Sequence, residues 1–200
     1  MRRRVGYLLS AAALAVLGLA LLAATGSGSK AKAKRGGATA LLKGADGRAV
    51  ARVKLTELRK GNVAVRVRAR GLTPGFHGFH VHEKGLCEGP GFTTAGGHFS
   101  RAGQAHGGHA GDMPPLFVTA DGEAQLSFVT DSFRIGELVA GDGSAVMIHA
   151  GRDNLANIPG RYHSHVPDAS STTFGPDAET LKTGDSGSRV ACGAVRARGH

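Results

Sequence analysis

An all-β domain is the fold class this sequence predicts: a sandwich or barrel of about eight short antiparallel strands interrupted by two long functional loops. Three observations carry the prediction. Apolar and polar residues alternate with a period of two through much of the chain, glycine-bearing turn signals separate the alternating runs, and no stretch beyond the N-terminal leader shows helical periodicity.

Residues 39–43 form the first short strand candidate. The run 49–55 puts Ala49, Ala51, Val53 and Leu55 on one face, and 63–70 sets Val63, Val65, Val67 and Ala69 inward with Arg66, Arg68 and Arg70 outward. Alternation of this kind marks strands with one face on a core and one in water. Further candidates are 78–83, 116–119, 124–129, 145–150 and 189–196, with Asp46-Gly47, Lys60-Gly61-Asn62 and Asp121-Gly122 as hairpin-type turns. Residues 87–115 and 152–188 break this rhythm. They are too long and too rich in Gly, Pro, His, Asp and Ser to be simple turns, and long ordered loops usually carry function.

The first residues do not look like part of a domain. Arg2, Arg3 and Arg4 precede an apolar run from Val5 to Ala24 and then small residues, which is the layout of a secretory signal. The expected organisation is a cleavable signal over 1–25, a flexible basic linker over 26–36, a folded domain over 37–196 and a tail over 197–200. The apolar run is also long enough to span a membrane, so retention as an uncleaved anchor is the alternative. Either way the chain is exported, to the extracellular space, the periplasm or the cell envelope, and the N-terminal segment is the means of any membrane or cell-surface association.

The formal net charge of +10 is concentrated there. Arg2, Arg3, Arg4, Lys30, Lys32, Lys34 and Arg35 account for seven charges and leave +3 on the rest. Nucleic-acid binding calls for a basic folded surface, so the bulk charge gives no reason to expect that partner. Cys87 and Cys192 are an even pair in an exported chain, which suggests a disulfide; a pair of metal-bound thiolates is the rival.

The chemistry lies in one dense cluster. His77, His80, His82, His98, His106, His109 and Asp112 place seven ligand-type groups within 36 residues. Imidazole suits copper and zinc, and three imidazoles with one carboxylate suit a closed tetrahedral zinc site. In a strand, His80 and His82 project to the same face. His149 sits near the end of another strand and reaches them only through the fold. A single buried histidine is ordinarily structural, but so many buried polar groups without partners would be costly.

These residues fall in Gly78-Phe79-His80-Val81-His82-Glu83, Gly97-His98-Phe99, His106-Gly107-Gly108-His109-Ala110-Gly111-Asp112, Ile148-His149-Ala150-Gly151 and Thr183-Gly184-Asp185-Ser186-Gly187-Ser188-Arg189-Val190-Ala191-Cys192-Gly193. In that order and over roughly residues 37 to 196, the chain resembles the copper–zinc superoxide dismutase family, in its secreted bacterial form. The resemblance implies an eight-stranded Greek-key β-barrel with one copper and one zinc per subunit. It assigns His80, His82, His98 and His149 to copper, and His98, His106, His109 and Asp112 to zinc, with His98 bridging the metals. It gives Arg189 the role of guiding and holding superoxide, pairs Cys87 with Cys192, makes Asp153 an outer carboxylate linking a copper-side and a zinc-side histidine, and leaves His77 as framework.

The implied reaction converts two superoxide anions and protons to dioxygen and hydrogen peroxide by alternate reduction and reoxidation of copper, with His98 carrying a proton. Some secreted bacterial relatives lose the zinc histidines. All four zinc-type ligands are present here, so zinc is expected. The second loop shows no lysine-rich guide beyond Arg161 and Lys182, and Tyr162-His163-Ser164-His165 reads as exposed loop histidines. A metal carrier on the same scaffold is the competing class, but it would tolerate loss of Arg189 or of a copper ligand. A homodimer is a further expectation.

Overall fold

Strand β1 (Gly37–Gly44) pairs antiparallel with β2 (Ala49–Glu57), and β2 with β3 (Val63–Arg70), in the register that the alternating pattern demands. In the computed structural model the described residues are 36–155 and 178–198. The predicted signal, anchor and most of the linker, together with Arg161 and Tyr162-His163-Ser164-His165, lie outside them. Among the described residues no helix is long and apolar enough to cross a membrane.

The remaining strands are β4 (Gly75–His77), β5 (Phe79–His82), β6 (Leu116–Val118), β7 (Glu123–Thr130), β8 (Ala145–His149), β9 (Arg189–Ala194) and β10 (Arg196–Ala197). One eight-stranded sheet runs in the order β5-β8-β9-β1-β2-β3-β7, with β10 also on β1, and β4 pairs with β6 separately. All the pairings are antiparallel. Strands far apart in sequence lie side by side, as in Greek-key folds. Val81 from β5 and Ala124 from β7, at the two ends of this path, share one buried cluster, so the sheet wraps around its core.

That core is filled by the inward set Ala38, Ala40, Leu42, Ala51, Val53, Leu55, Val63, Val65, Val67 and Ala69. Each Val or Leu so buried contributes about 1.5–3 kcal/mol relative to exposure. Ala49 is the exception to the predicted inward face. The register shifts at Leu42/Lys43, and Ala49 is exposed. Two short helices, α1 (Ile135–Leu138) and α2 (Ala178–Thr183), lie outside the sequence expectation, because four and six residues are too few to show a helical period. In α1 the Glu137 carboxylate accepts the Arg134 N–H at 2.6 Å and closes the turn. The run 189–196 divides at Val195 into β9 and β10.

Strands β5 and β8 are buried throughout. Phe79, Val81, Val146 and Ile148 face the main core, while Ala145 and Met147 join Phe92, Ala95 and Cys192 in a second cluster. The other face of β5 carries His80 and His82, covered by the loop that follows.

Candidate metal centre

Period two in β5 turns His80 and His82 away from the apolar core together. The loop 96–112 is stitched over them by backbone bonds: Phe99 N–H to the Val81 carbonyl (2.8 Å), Val81 N–H to Gly111 (2.9 Å) and Glu83 N–H to Gly97 (3.0 Å). This sets His98 opposite His82 and Asp112 opposite His80. Gly111 permits the close approach, since a Cβ there would collide with the Val81 carbonyl. His149 enters from the end of β8, just past a register shift at Ile148/His149.

Each of three imidazoles is oriented by a bond from one ring nitrogen. His80 Nε2 donates to Asp153 Oδ2 (2.8 Å), His82 Nδ1 to the Gly96 carbonyl (3.0 Å) and His149 Nδ1 to the Gly187 carbonyl (3.0 Å). Because these partners are acceptors, the bonded nitrogens hold the protons, and His80 Nδ1, His82 Nε2 and His149 Nε2 keep free lone pairs. His82 Nε2 and His149 Nε2 lie 3.4 Å apart. Donor atoms of His80, His82, His98 and His149 all fall within 4.8 Å of one another.

A second set gathers around Asp112. Its Oδ1 is 3.0 Å from His98 Nδ1 and 3.4 Å from Nδ1 of both His106 and His109. His98 and His109 Nδ1 are themselves 3.4 Å apart. Four ligands about 2.0–2.1 Å from a tetrahedral zinc stand about 3.3–3.4 Å from one another. The Asp112 Oδ2 atom accepts the N–H groups of Gly107 (2.7 Å) and His109 (3.0 Å), so the short His106–His109 turn wraps its own carboxylate. His80 also lies within 4.8 Å of His98, His106 and Asp112. Its Nε2 is committed to Asp153, whereas His109 Nδ1 faces Asp112, so His109 is the better fourth member.

Asp153 spans the two sets. Its Oδ2 accepts from His80, and its Oδ1 lies 2.8 Å from His106 Nε2, at ion-pair distance though off the hydrogen-bond line. Gly184 packs directly against this contact at φ +63°, and a Cβ there would overlap His106 Nε2. Gly184 is distant from His106 in sequence, so only the approach in space shows its role. His77 lies apart from both donor sets, donating from Nδ1 to the His149 carbonyl (2.6 Å).

Burial disfavours charge on His80, His82, His109 and His149 and pulls each below the ordinary imidazole range, His149 to about 3. They are therefore neutral, as ligands must be. His106 is the exception. Burial opposes its charge too, but Asp112 and Asp153 outweigh it and raise His106 to about 9. Both carboxyls titrate well below the usual carboxylate range, because His106 with His98 for Asp112, and with His80 for Asp153, overcomes the cost of burial.

His80 Nδ1 and His106 Nδ1 are buried without a hydrogen-bond partner. The orphaned His80 Nδ1 lone pair, aimed into the set of His82, His98 and His149, fits a metal ion, and His106 Nδ1 faces the second set, where a metal would displace its proton. An open cavity of about 740 Å³ leads to the copper-type set and is lined by Thr93, His98, His149, Lys182 and Arg189 among others. Arg189 is held there by bonds from Nη1 to the Phe92 carbonyl (2.7 Å) and Nη2 to Gly96 (2.6 Å). The Cys87–Cys192 disulfide forms, with Cα atoms 5.6 Å apart. It ties the start of the same loop to β9, three residues beyond Arg189.

The family model described as copper/zinc superoxide dismutase matches residues 49–195. This chain belongs to that family. It is 42% identical over 170 residues to the superoxide dismutase [Cu-Zn] of Mycobacterium tuberculosis, covering 78% of this chain and 69% of that protein. It is 32% identical to the enzyme of the same name from Caulobacter vibrioides, covering 80% and 85%. Among solved structures it is similar to a superoxide-dismutase-like protein from Bacillus subtilis, with a TM-score of 0.59 at 29% identity, covering 78% and 96%. The family cofactors are copper and zinc, and the two donor sets of this chain fit them.

Proposed function

We propose that this chain is a superoxide dismutase in which His80, His82, His98 and His149 hold copper and His98, His106, His109 and Asp112 hold zinc. Family membership supports the activity. The observation that carries the residue assignment is the position of His98. Its Nδ1 points to Asp112 at 3.0 Å, while its ring lies 4.1 Å from that of His80 and 5.0 Å from that of His82. One imidazole thus stands between two donor sets.

Copper held by His80, His82, His98 and His149 would supply a one-electron couple between successive superoxide anions, and zinc held by His98, His106, His109 and Asp112 would supply a fixed positive charge beside it. Arg189 provides a permanent positive charge at the cavity wall, where it attracts and orients a small anion. Phe92 and Gly96 carbonyls keep that guanidinium from swinging away. His98 Nε2, on the copper-type side, holds and delivers a proton to the peroxide product, a task suited to imidazole near neutral pH. Asp153 holds the rings of His80 and His106 in place from behind.

Metal analysis tests the assignment. Loading with both ions should give one copper and one zinc per chain, and His149→Ala should retain zinc while losing copper. Retention of both metals by that variant would count against the assignment.

The domain plan of signal, linker, folded body over 37–196 and tail belongs to this reading, as does export to the extracellular space, periplasm or cell envelope. The Cys87–Cys192 disulfide supports an oxidising compartment, and a relative 34% identical over 131 residues is an extracellular superoxide dismutase [Cu-Zn] from Onchocerca volvulus. N-terminal sequencing of the mature protein distinguishes cleavage from anchoring, and light scattering tests for a homodimer.

A further inference from the structure

Beyond residue 35 the net charge is only +3, but its distribution is uneven. On the outward face of the main sheet, Lys54 stands opposite Arg66 and Arg52 opposite Arg68. The same rows continue to Thr39 and Leu41 on β1, and to Ser127 and Gln125 on β7. Arg70 faces Glu123, the one carboxylate on these rows. All five cations are exposed, and the side chains of Arg52, Lys54, Arg66 and Arg68 make no hydrogen bond or ion pair with another described residue.

Like charges directly opposite one another weaken an antiparallel pair. Two such pairs side by side, with no carboxylate between them, are unfavourable in the free protein and favourable against an anion. Successive outward residues lie about 7 Å apart along a strand and about 5 Å apart across neighbouring strands. An open groove of about 440 Å³ runs between β3 and β7 beside Arg66 and Arg68.

We propose that this face docks a linear, base-free phosphate polymer of the poly(glycerol phosphate) kind, a choice of partner that rests on the proposed export to the cell envelope. Three of the four cations are arginines, whose forked guanidinium suits phosphate oxygens. Thr39, Ser127 and Gln125 extend the rows with neutral hydrogen-bonding groups. No aromatic side chain lies on these rows to stack a base, which sets nucleic acid aside. Leu41 is the one large apolar residue in the two cationic rows, and a groove suits a chain better than a bilayer. The surface is separate from the metal centre, whose residues come from β5, β8 and the loops.

The test titrates the metal-loaded full chain with deacylated poly(glycerol phosphate) and compares it with the fourfold variant Arg52→Gln, Lys54→Gln, Arg66→Gln, Arg68→Gln. Four phosphate contacts should make the parent's affinity fall about 50-fold between 50 and 200 mM salt. The variant should bind at least 30-fold more weakly at 50 mM salt, with unchanged metal content and superoxide-decay rate and a melting temperature no lower than the parent's. Arg68→Gln alone should weaken binding several-fold, which keeps the test informative if the fourfold variant folds poorly. Equal binding by parent and variants would overturn the proposal and place the polymer on the N-terminal basic residues. Variant-sensitive binding that is as strong for a single-stranded oligonucleotide or an anionic vesicle would overturn the choice of partner.

Discussion

Arg189 stands directly across the β8–β9 ladder from His149, at the register shift that ends β8. One backbone irregularity therefore places both His149, the imidazole proposed for copper, and Arg189, the cation proposed to meet the substrate. Two carbonyls of the neighbouring loop, Phe92 and Gly96, fix the guanidinium. Gly96 also accepts from His82, so the same peptide group orients the His82 ring and the Arg189 guanidinium.

Replacing the guanidinium should damage turnover without damaging the centre. Arg189→Ala is expected to lower the superoxide-decay rate by about 10–100-fold, the worth of a charge-assisted hydrogen bond of 1.5–3 kcal/mol. Copper and zinc content should match the parent. Stopped-flow decay with parallel metal analysis checks this, and Arg189→Lys should recover only part of the rate, because it restores charge without the fork.

Asp153 meets His80 and His106 at Nε2, on the side of each ring away from the nitrogen proposed to bind a metal. Asp153→Ala should cost roughly 10–100-fold in metal affinity, the usual effect of removing an outer carboxylate. Both metals should be affected, since one ring belongs to each set. Chelator competition for copper and zinc separately measures this; a loss confined to one metal would show that the carboxylate serves a single ring.

The Cys87–Cys192 disulfide closes a loop with a sequence separation of 105. Chain-entropy arguments give such a loop roughly 4–5 kcal/mol. The double variant Cys87→Ser, Cys192→Ser should melt correspondingly lower by calorimetry. Its superoxide-decay rate should fall as well, because the freed loop carries the carbonyls that hold Arg189.

The metal-free protein should be most stable near pH 6.5. His80, His82, His109 and His149 resist protonation in the fold, so below pH 6.5 the unfolded chain takes up more protons and stability falls, over a window reaching about 3 for His149. His106 acts in the opposite sense. Its raised value, about 9, contributes stability that is complete below 6.5 and lost as the pH rises through 9. Asp112 and Asp153 add stability above the ordinary carboxyl range and lose it only at lower pH. Melting temperature against pH, measured in chelator, should trace a peak with losses on both sides; a flat profile between pH 4 and 9 would contradict the assigned environments.

Much of this was legible in the sequence because period two is a strong signal. Val63–Ala69 alternation located β3, and the same rule put His80 and His82 on one face. The histidine spacing marked a dense cluster of metal-ligand groups, and only the family resemblance divided it into two sets. Elements too short to repeat a period were not legible: β4, the division at Val195, and the two short helices. Nor was the bulge that exposes Ala49, since register depends on the partner strand. The closeness of Gly184 to His106, and the Gly96 carbonyl shared by His82 and Arg189, arise from segments distant in sequence. The cationic face lay half visible in Arg66, Arg68 and Arg70, but only the β2–β3 register sets Arg52 and Lys54 beside them.

In the proposed function, His149 completes a redox centre shared through His98. Its most direct test is the superoxide-decay rate of protein loaded with copper and zinc, parent against His149→Ala, followed by stopped-flow absorbance. The parent should accelerate decay steeply, and the variant should lose at least a hundredfold while remaining folded and holding zinc. A variant as active as the parent would show that His149 is not a copper ligand the reaction needs.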